Sequence, residues 1–279
     1  MYIHGGGFVS GSPRSVSSYL LQLHLELRAR GVHSDVIAVE YDLAPEYPYP
    51  HALQQIVSAY EYIQAQYKPI VLMGDSAGGN LCLALLRHLA RPHPQISSPR
   101  LSPNSSQGIV ALCLASPWVD LRKNSTLCHG ISSDCLDRSA LGSWRDAYLG
   151  GQPVSEYASP LGFPALTGWK VILPPKALFM SGELDLFLAQ IKLLGEEIKK
   201  DGYQGLDIII EPLKGHVWNL VDYGGAIPGD SQGKEIERME ALRGVCLQAD
   251  WIRYVRSQGE YNIPPLKKTM QLILNNAIW

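Results

Sequence analysis

The chain has 279 residues, 46% of them hydrophobic, enough for one large core, and α/β domains of this size commonly stay undivided. A formal charge of −2 gives no electrostatic argument for a nucleic-acid or anionic-membrane partner. No apolar run reaches the roughly 20 residues of a membrane-spanning helix, and no leader peptide is visible, which favours a cytoplasmic setting unless a targeting segment lies outside the sequence given.

In chain order, Tyr2-Ile3 is strand-like and runs straight into His4-Gly5-Gly6-Gly7-Phe8. Consecutive glycines let backbone N–H groups approach a substrate oxygen with no Cβ in the way. Val16, Tyr19, Leu20, Leu23 and Leu27 then recur at helical spacing and stop at Gly31, Val36-Ile37-Ala38-Val39 reads as a strand, and Leu53, Ile56, Val57, Tyr60 and Ile63 mark a second amphipathic helix. Ile70-Val71-Leu72-Met73 is a β-prone run that ends in Gly74-Asp75-Ser76-Ala77-Gly78, and Leu81 to Leu86 behind it suits a buried helix. This G-x-S-x-G turn puts Ser76 between strand and helix, where glycines allow the strained backbone that projects a nucleophilic hydroxyl. The Ala77 N–H, at the start of that helix, is placed to face a developing oxyanion. The bland alternative, a glycine-rich turn without chemistry, loses ground because strand, glycine, serine and helix come in the required order.

Residues 91 to 108 hold four prolines and five serines, which suits a surface excursion, and Ile109 to Ala115 resumes the sheet. From Leu121 to about Lys170 the pattern is irregular, with Trp144, Tyr148, Tyr157, Phe163 and Trp169 among glycines and prolines; these aromatics could line an apolar pocket or form a small satellite core. Lys176 to Met180 reads as a strand, Leu186 to Lys200 as a helix ending before Gly202, and Leu206 to Ile210 as a late strand. Ile236, Met239, Leu242, Val245, Ala249, Ile252 and Val255 trace a long amphipathic helix. Such alternation predicts an α/β fold with a mostly parallel sheet and helices on both faces. The stretch from Tyr261, with Pro264-Pro265 and then Leu272-Ile273-Leu274, suits a cover for apolar surface or a homodimer contact equally.

A serine hydroxyl needs a base, and the base an orienting acid, in the chain order Ser, Asp or Glu, His. Of eight histidines, His24 and His88 fall inside helical patterns, His93 in a polar loop and His4 in the glycine motif. His216 follows the late strand in a loop, where α/β folds place their chemistry, and is the expected base. After the preceding strand comes Ser181-Gly182-Glu183-Leu184-Asp185. Asp185 is the expected acid, with Glu183 as its near neighbour, and it could also cap the helix that follows.

These segments resemble the hormone-sensitive-lipase family of α/β-hydrolases, serine esterases with an H-G-G-G motif. The likeness extends to Tyr41-Asp42-Leu43-Ala44-Pro45-Glu46, with aspartate where arginine is usual, to Ser116-Pro117-Trp118-Val119-Asp120-Leu121, and to Gly215-His216, covering nearly the whole chain. The resemblance implies a catalytic triad of Ser76, Asp185 and His216, and oxyanion N–H groups from Gly6, Gly7 and Ala77, with Gly5 mainly a spacer. It further implies one α/β-hydrolase domain over 1–279 with a cap-like insertion at about 121–170, no metal or organic cofactor, and a small-molecule carboxylic ester as substrate. An apolar cap would favour acetyl or short-acyl esters of bulky apolar alcohols such as sterols or secondary metabolites. An amidase or formamidase uses the same triad. A non-catalytic receptor of the plant gibberellin-receptor type is the rival class, and the retained His216 counts against it.

The chain departs from the family pattern in three places. Leu186-Phe187-Leu188-Ala189 stands where further acidic residues are usual, and Val217-Trp218-Asn219 follows the histidine, so that Trp218, with Phe8, is expected to line the pocket. Only three residues precede the H-G-G-G motif. The family sheet runs 1-2-4-3-5-6-7-8, so the chain is expected to lack the first two strands and the N-terminal part of the cap. The edge of the family's fourth strand would then be exposed unless another segment covers it, or unless the chain is a piece of a longer or inactive form. Five cysteines are scattered; Cys82 and Cys113 fall in core-like runs, and a Cys128–Cys135 disulfide finds no support in metal spacing or a secretory context.

Overall fold

Short β-prone runs separated by helices assemble a largely parallel sheet in a computed structural model that describes residues 1–96, 108–125, 134–163, 165, 168–225, 235–258, 271–274 and 277–278. The strands are β1 (Tyr2–Ile3), β2 (Ile37–Val39), β3 (Ile70–Asp75), β4 (Ile109–Ala115), β5 (Lys176–Gly182), β6 (Leu206–Glu211), β7 (Gln271–Leu274) and β8 (Ala277–Ile278). They lie in the order β6-β5-β4-β3-β1-β2-β7-β8, and every pair is parallel except β7 with β8. The principal helices are α1 (Ser17–Ala29), α2 (His51–Gln66), α3 (Ser76–Ala90), α4 (Arg138–Leu149), α5 (Trp169–Ile172), α6 (Leu188–Lys200), α7 (Trp218–Gly225) and α8 (Glu235–Gln258). Among the described residues no helix is long and apolar enough to cross a membrane.

Two-residue alternation along the strands feeds two apolar clusters, one on each face. Ile3, Val39, Leu72, Leu112, Leu114 and Phe179 point to the face covered by α2, α3 and α6, while Tyr2, Ala38, Met73, Cys113, Leu178 and Met180 point to that covered by α1 and α8. Cys82 and Cys113 are buried free thiols, as their apolar surroundings suggest; the Cys128–Cys135 pairing falls on a residue outside those described. Register aligns the carboxyl ends of the strands: Ile3 lies opposite Gly74, Asp75 opposite Ala115, and Gly182 opposite Glu211. The loops that leave this edge of the sheet carry the residues singled out above.

One expectation changes. The edge of β2, the family's fourth strand, is not bare: Ile37, Ala38 and Val39 pair with Gln271, Leu272 and Ile273. The backbone N–H and C=O groups of β2 that face away from β1 would otherwise lack partners in the sheet, and the Leu-Ile-Leu run, β-prone and late in the chain, supplies them. The aromatics of the 121–170 segment also do not form a satellite core, since Tyr148, Tyr157 and Trp169 are buried in the main cluster and Trp144 packs against it. Arg87 of α3 fastens this segment. Its buried guanidinium donates to Glu156 and to the Pro160 carbonyl at 3.1 and 2.8 Å and lies 4.6 Å above the Trp169 ring.

At the end of α3, the His93 N–H donates to Nδ1 of His88, and His93 Nε2 meets the Tyr49 hydroxyl at 2.8 Å. Burial, helped by the neighbouring His93, holds His88 down to about 4, and burial also lowers His93. An unfolded chain protonates these rings near the ordinary 6.5, so between 6.5 and about 4 it binds more protons than the folded one and stability falls as the pH drops. A Tm series over this range should decline steadily toward acid, with a shallower slope in His88→Asn; a wild-type Tm that is flat from pH 6.5 to 4 would contradict the assignment.

Candidate active site

Ser76 follows the last residue of β3 and begins α3 with φ of 49°, a left-handed conformation that turns its hydroxyl away from the strand. The turn is wedged against β1: a Cβ on Gly78 would lie 2.1 Å from the Ile3 carbonyl oxygen and 2.5 Å from that of His4, so only glycine lets the helix start this close to the glycine loop. Asp75 ties the same parts together. Its Oδ1 accepts from the Tyr2 hydroxyl at 2.7 Å and from the Gly5 N–H at 2.9 Å, and burial raises its pKa although both hydrogen bonds oppose the shift.

His216 follows β6, and its Nε2 lies 2.9 Å from Ser76 Oγ while its Nδ1 lies 3.1 Å from Asp185 Oδ1. With Nδ1 facing a carboxylate, the proton belongs on Nδ1 and the Nε2 lone pair faces the serine hydroxyl. All three side chains are buried. Burial pushes the Asp185 carboxyl up, but the facing His216 and hydrogen bonds from His216, Ser116 and the Phe187 N–H outweigh it, and the net pKa lies below the ordinary range. Asp185 does not cap α6 by geometry, since the helix begins at Leu188 with Phe187 in the cap position, yet its Oδ1 accepts the Phe187 N–H at 2.9 Å. Glu183 is exposed and accepts the Leu213 N–H at 3.1 Å, away from the histidine.

The glycine loop abuts the serine. A Cβ on Gly5 would come within 3.0 Å of Ser76 Cβ, and among the described residues the Gly6 and Gly7 N–H groups donate to no protein acceptor. Ala77 is fully buried at the first turn of α3, where N–H groups lack helical partners. Phe8 packs face to face on Tyr148 of α4, with ring centroids 3.7 Å apart, and beside Trp118. Trp144 of α4 lies over Gly7, 2.6 Å from where a Cβ would stand.

Trp218 is a correction. It opens α7 but belongs to the α1/α8 cluster on the opposite face, with Tyr2, Tyr19, Met180 and Val245, and its ring lies against Gly244 of α8. A large indole beside the histidine gains more by filling the gap at Gly244 than by standing in a polar cleft. Phe187 takes the place beside the imidazole, edge to face at 5.0 Å.

Two residues escape a reading of the sequence. Ser116, in left-handed backbone with φ of 47°, accepts the Val217 N–H at 2.9 Å and donates to Asp185. Asp134 accepts the His216 N–H at 2.9 Å and the Leu186 N–H at 2.8 Å. The only trace of Ser116 is its place in the Ser-Pro-Trp segment after β4, and Asp134 has none.

A family model of the alpha/beta hydrolase fold matches residues 1–218. An esterase of Acinetobacter venetianus is 34% identical over 206 residues, which are 71% of this chain and 60% of that one. An acetyl-hydrolase of Streptomyces hygroscopicus is 30% identical over 199 residues, 66% of this chain and 56% of that one. The crystal structure of an esterase from the bacterial hormone-sensitive lipase family matches with a TM-score of 0.67 at 25% identity, covering 91% of this chain and 75% of that one. The chain thus spans about three fifths of the length of these two curated relatives. Motifs, sheet order and matches agree, and the chain belongs to the α/β-hydrolases, in the hormone-sensitive-lipase family.

Proposed function

We propose that this protein hydrolyses carboxylic esters of short acyl groups, acetyl above all, with apolar alcohols, through an acyl-enzyme on Ser76. The observation that carries the reading is the unbroken hydrogen-bonded line from Ser76 through His216 to Asp185, at 2.9 and 3.1 Å. Ser76 Oγ attacks the ester carbonyl as its proton passes to His216 Nε2, and Asp185 stabilises the imidazolium so formed. The oxyanion is met by the N–H groups of Gly6, Gly7 and Ala77, each such donor contributing about 3 kcal/mol in the transition state. His216 then protonates the leaving alkoxide. Water repeats the sequence on the acyl group, giving its proton to His216 and releasing the acid as the proton returns to Ser76.

Aromatic carbon around the glycine loop supports the short acyl chain: Trp144 over Gly7 and the Phe8–Tyr148 stack leave little room there. The Streptomyces relative named an acetyl-hydrolase points the same way. Treatment with a fluorophosphonate followed by intact-mass and peptide analysis tests the reading. One adduct on Ser76 is expected, and a folded chain that stays unlabelled would overturn it.

A further inference from the structure

We infer that Asp134, in the cap-like insertion, is a positioning residue that holds the acid and the base of the site in register. The inference rests on the hydrolase reading above and adds a part to it. Acid and histidine sit on separate loops, after β5 and β6, and apart from their own side-chain contact each must be held against the other within a fraction of an ångström for proton transfer to work. One carboxylate spans the gap. Asp134 Oδ1 accepts the backbone N–H of His216 itself at 2.9 Å, and Oδ2 accepts the N–H of Leu186, the residue after Asp185, at 2.8 Å. Both are charge-assisted bonds to backbone, so they fix main chain rather than a rotamer.

A second observation agrees. Gly215, just before the base, lies so close to the insertion that a Cβ there would stand 3.1 Å from Asp134 Oδ1 and 3.7 Å from its Cα. The neighbouring Cys135 thiol lies 3.9 Å from the His216 carbonyl oxygen, so the insertion meets the histidine loop at both its N–H and its C=O. Asp134 touches neither Ser76 nor the face of the imidazole that exchanges protons; its effect passes through backbone. The segment that the sequence marks as a cap-like insertion thus also sets the geometry of the acid–base pair.

The test compares Asp134→Ala and Asp134→Asn with wild type in p-nitrophenyl acetate hydrolysis, with thermal melting alongside. Misplacing catalytic groups by about an ångström costs up to about a hundred-fold in rate. Asp134→Ala is expected to lose roughly ten- to a hundred-fold in kcat with KM within about two-fold of wild type. Asp134→Asn keeps one acceptor oxygen and should fall between the two, with fluorophosphonate labelling rates in the same order. If Asp134→Ala does not fold, the Asn variant decides: a kcat within about two-fold of wild type overturns the inference, as does a loss that appears in KM or melting temperature with kcat kept. An inactive, unlabelled wild type would instead defeat the hydrolase reading, which separates the two failures.

Discussion

Ser76→Ala is expected to lower kcat for p-nitrophenyl acetate by about 10⁴-fold or more, with an unchanged melting curve and no fluorophosphonate adduct. The loss is large because the other parts depend on this oxygen. Among the described residues, Ser76 Oγ is the hydrogen-bond partner of His216 Nε2, at 2.9 Å, and without it the general base has no nucleophile to activate. The residual rate would come from the glycine loop acting on a water-borne attack. His216→Ala should fall nearly as far, since Ser76 then keeps its proton, and Ser76→Ala combined with it should cost little more than either alone. Wild-type rates in either single variant would remove the assignment of nucleophile and base.

Asp185→Asn should cost about 10³- to 10⁴-fold in kcat, while Glu183→Gln stays within about three-fold. Asp185 Oδ1 takes both the imidazole N–H and the Phe187 N–H, and Oδ2 takes the Ser181 hydroxyl at 3.0 Å. An amide in that place has two orientations. With its oxygen at Oδ1 it keeps the histidine tautomer but loses the charge that stabilises the imidazolium; with its NH₂ there it opposes the Phe187 N–H and forces the imidazole to the wrong tautomer. Glu183 contributes a single exposed bond to the Leu213 N–H, which the carboxamide oxygen of glutamine retains. Parallel kinetics of the two variants, with circular dichroism to check the fold, distinguish the carboxylates, and the reverse order of effects would move the acid to Glu183. Because the folded-state pKa of Asp185 is depressed, its ionised form and the stability it contributes persist through neutral pH and are lost only as the pH falls below the ordinary carboxylate range.

Ser76, Asp185 and His216 can be picked out in the sequence because each follows a β-prone run, and strand ends announce themselves through period and glycine. Most of the helices are legible for the same reason: their apolar residues recur every three or four positions, as in α1, α2 and α8. Contacts across the fold leave no such mark. The bond from Asp134 to His216 joins residues 82 apart, and the Ser116–Val217 bond joins residues 101 apart, so neither has a local pattern to find. Trp218 misleads in the opposite sense. Position beside the histidine suggests the pocket, but the first residue of α7 turns with the helix, and its direction depends on a gap at Gly244 in another element. The pairing of β7 with β2 is equally nonlocal, since a Leu-Ile-Leu run states that it will pair but not with what.

Arg87 of α3, buried against the 121–170 segment, is expected to give the molecule an unusual response to heat. Keeping a guanidinium out of water is expensive in the cold, and the expense shrinks on warming because hydration of ions becomes less favourable. Apolar contacts gain little over the same interval. The joint made by Arg87 with Glu156, the Pro160 carbonyl and the Trp169 ring therefore loosens less with temperature than the hydrocarbon packing around it. As the protein approaches its melting point, the segment that holds Glu156, Pro160 and Trp169 is expected to stay attached to α3, and the two to come apart together.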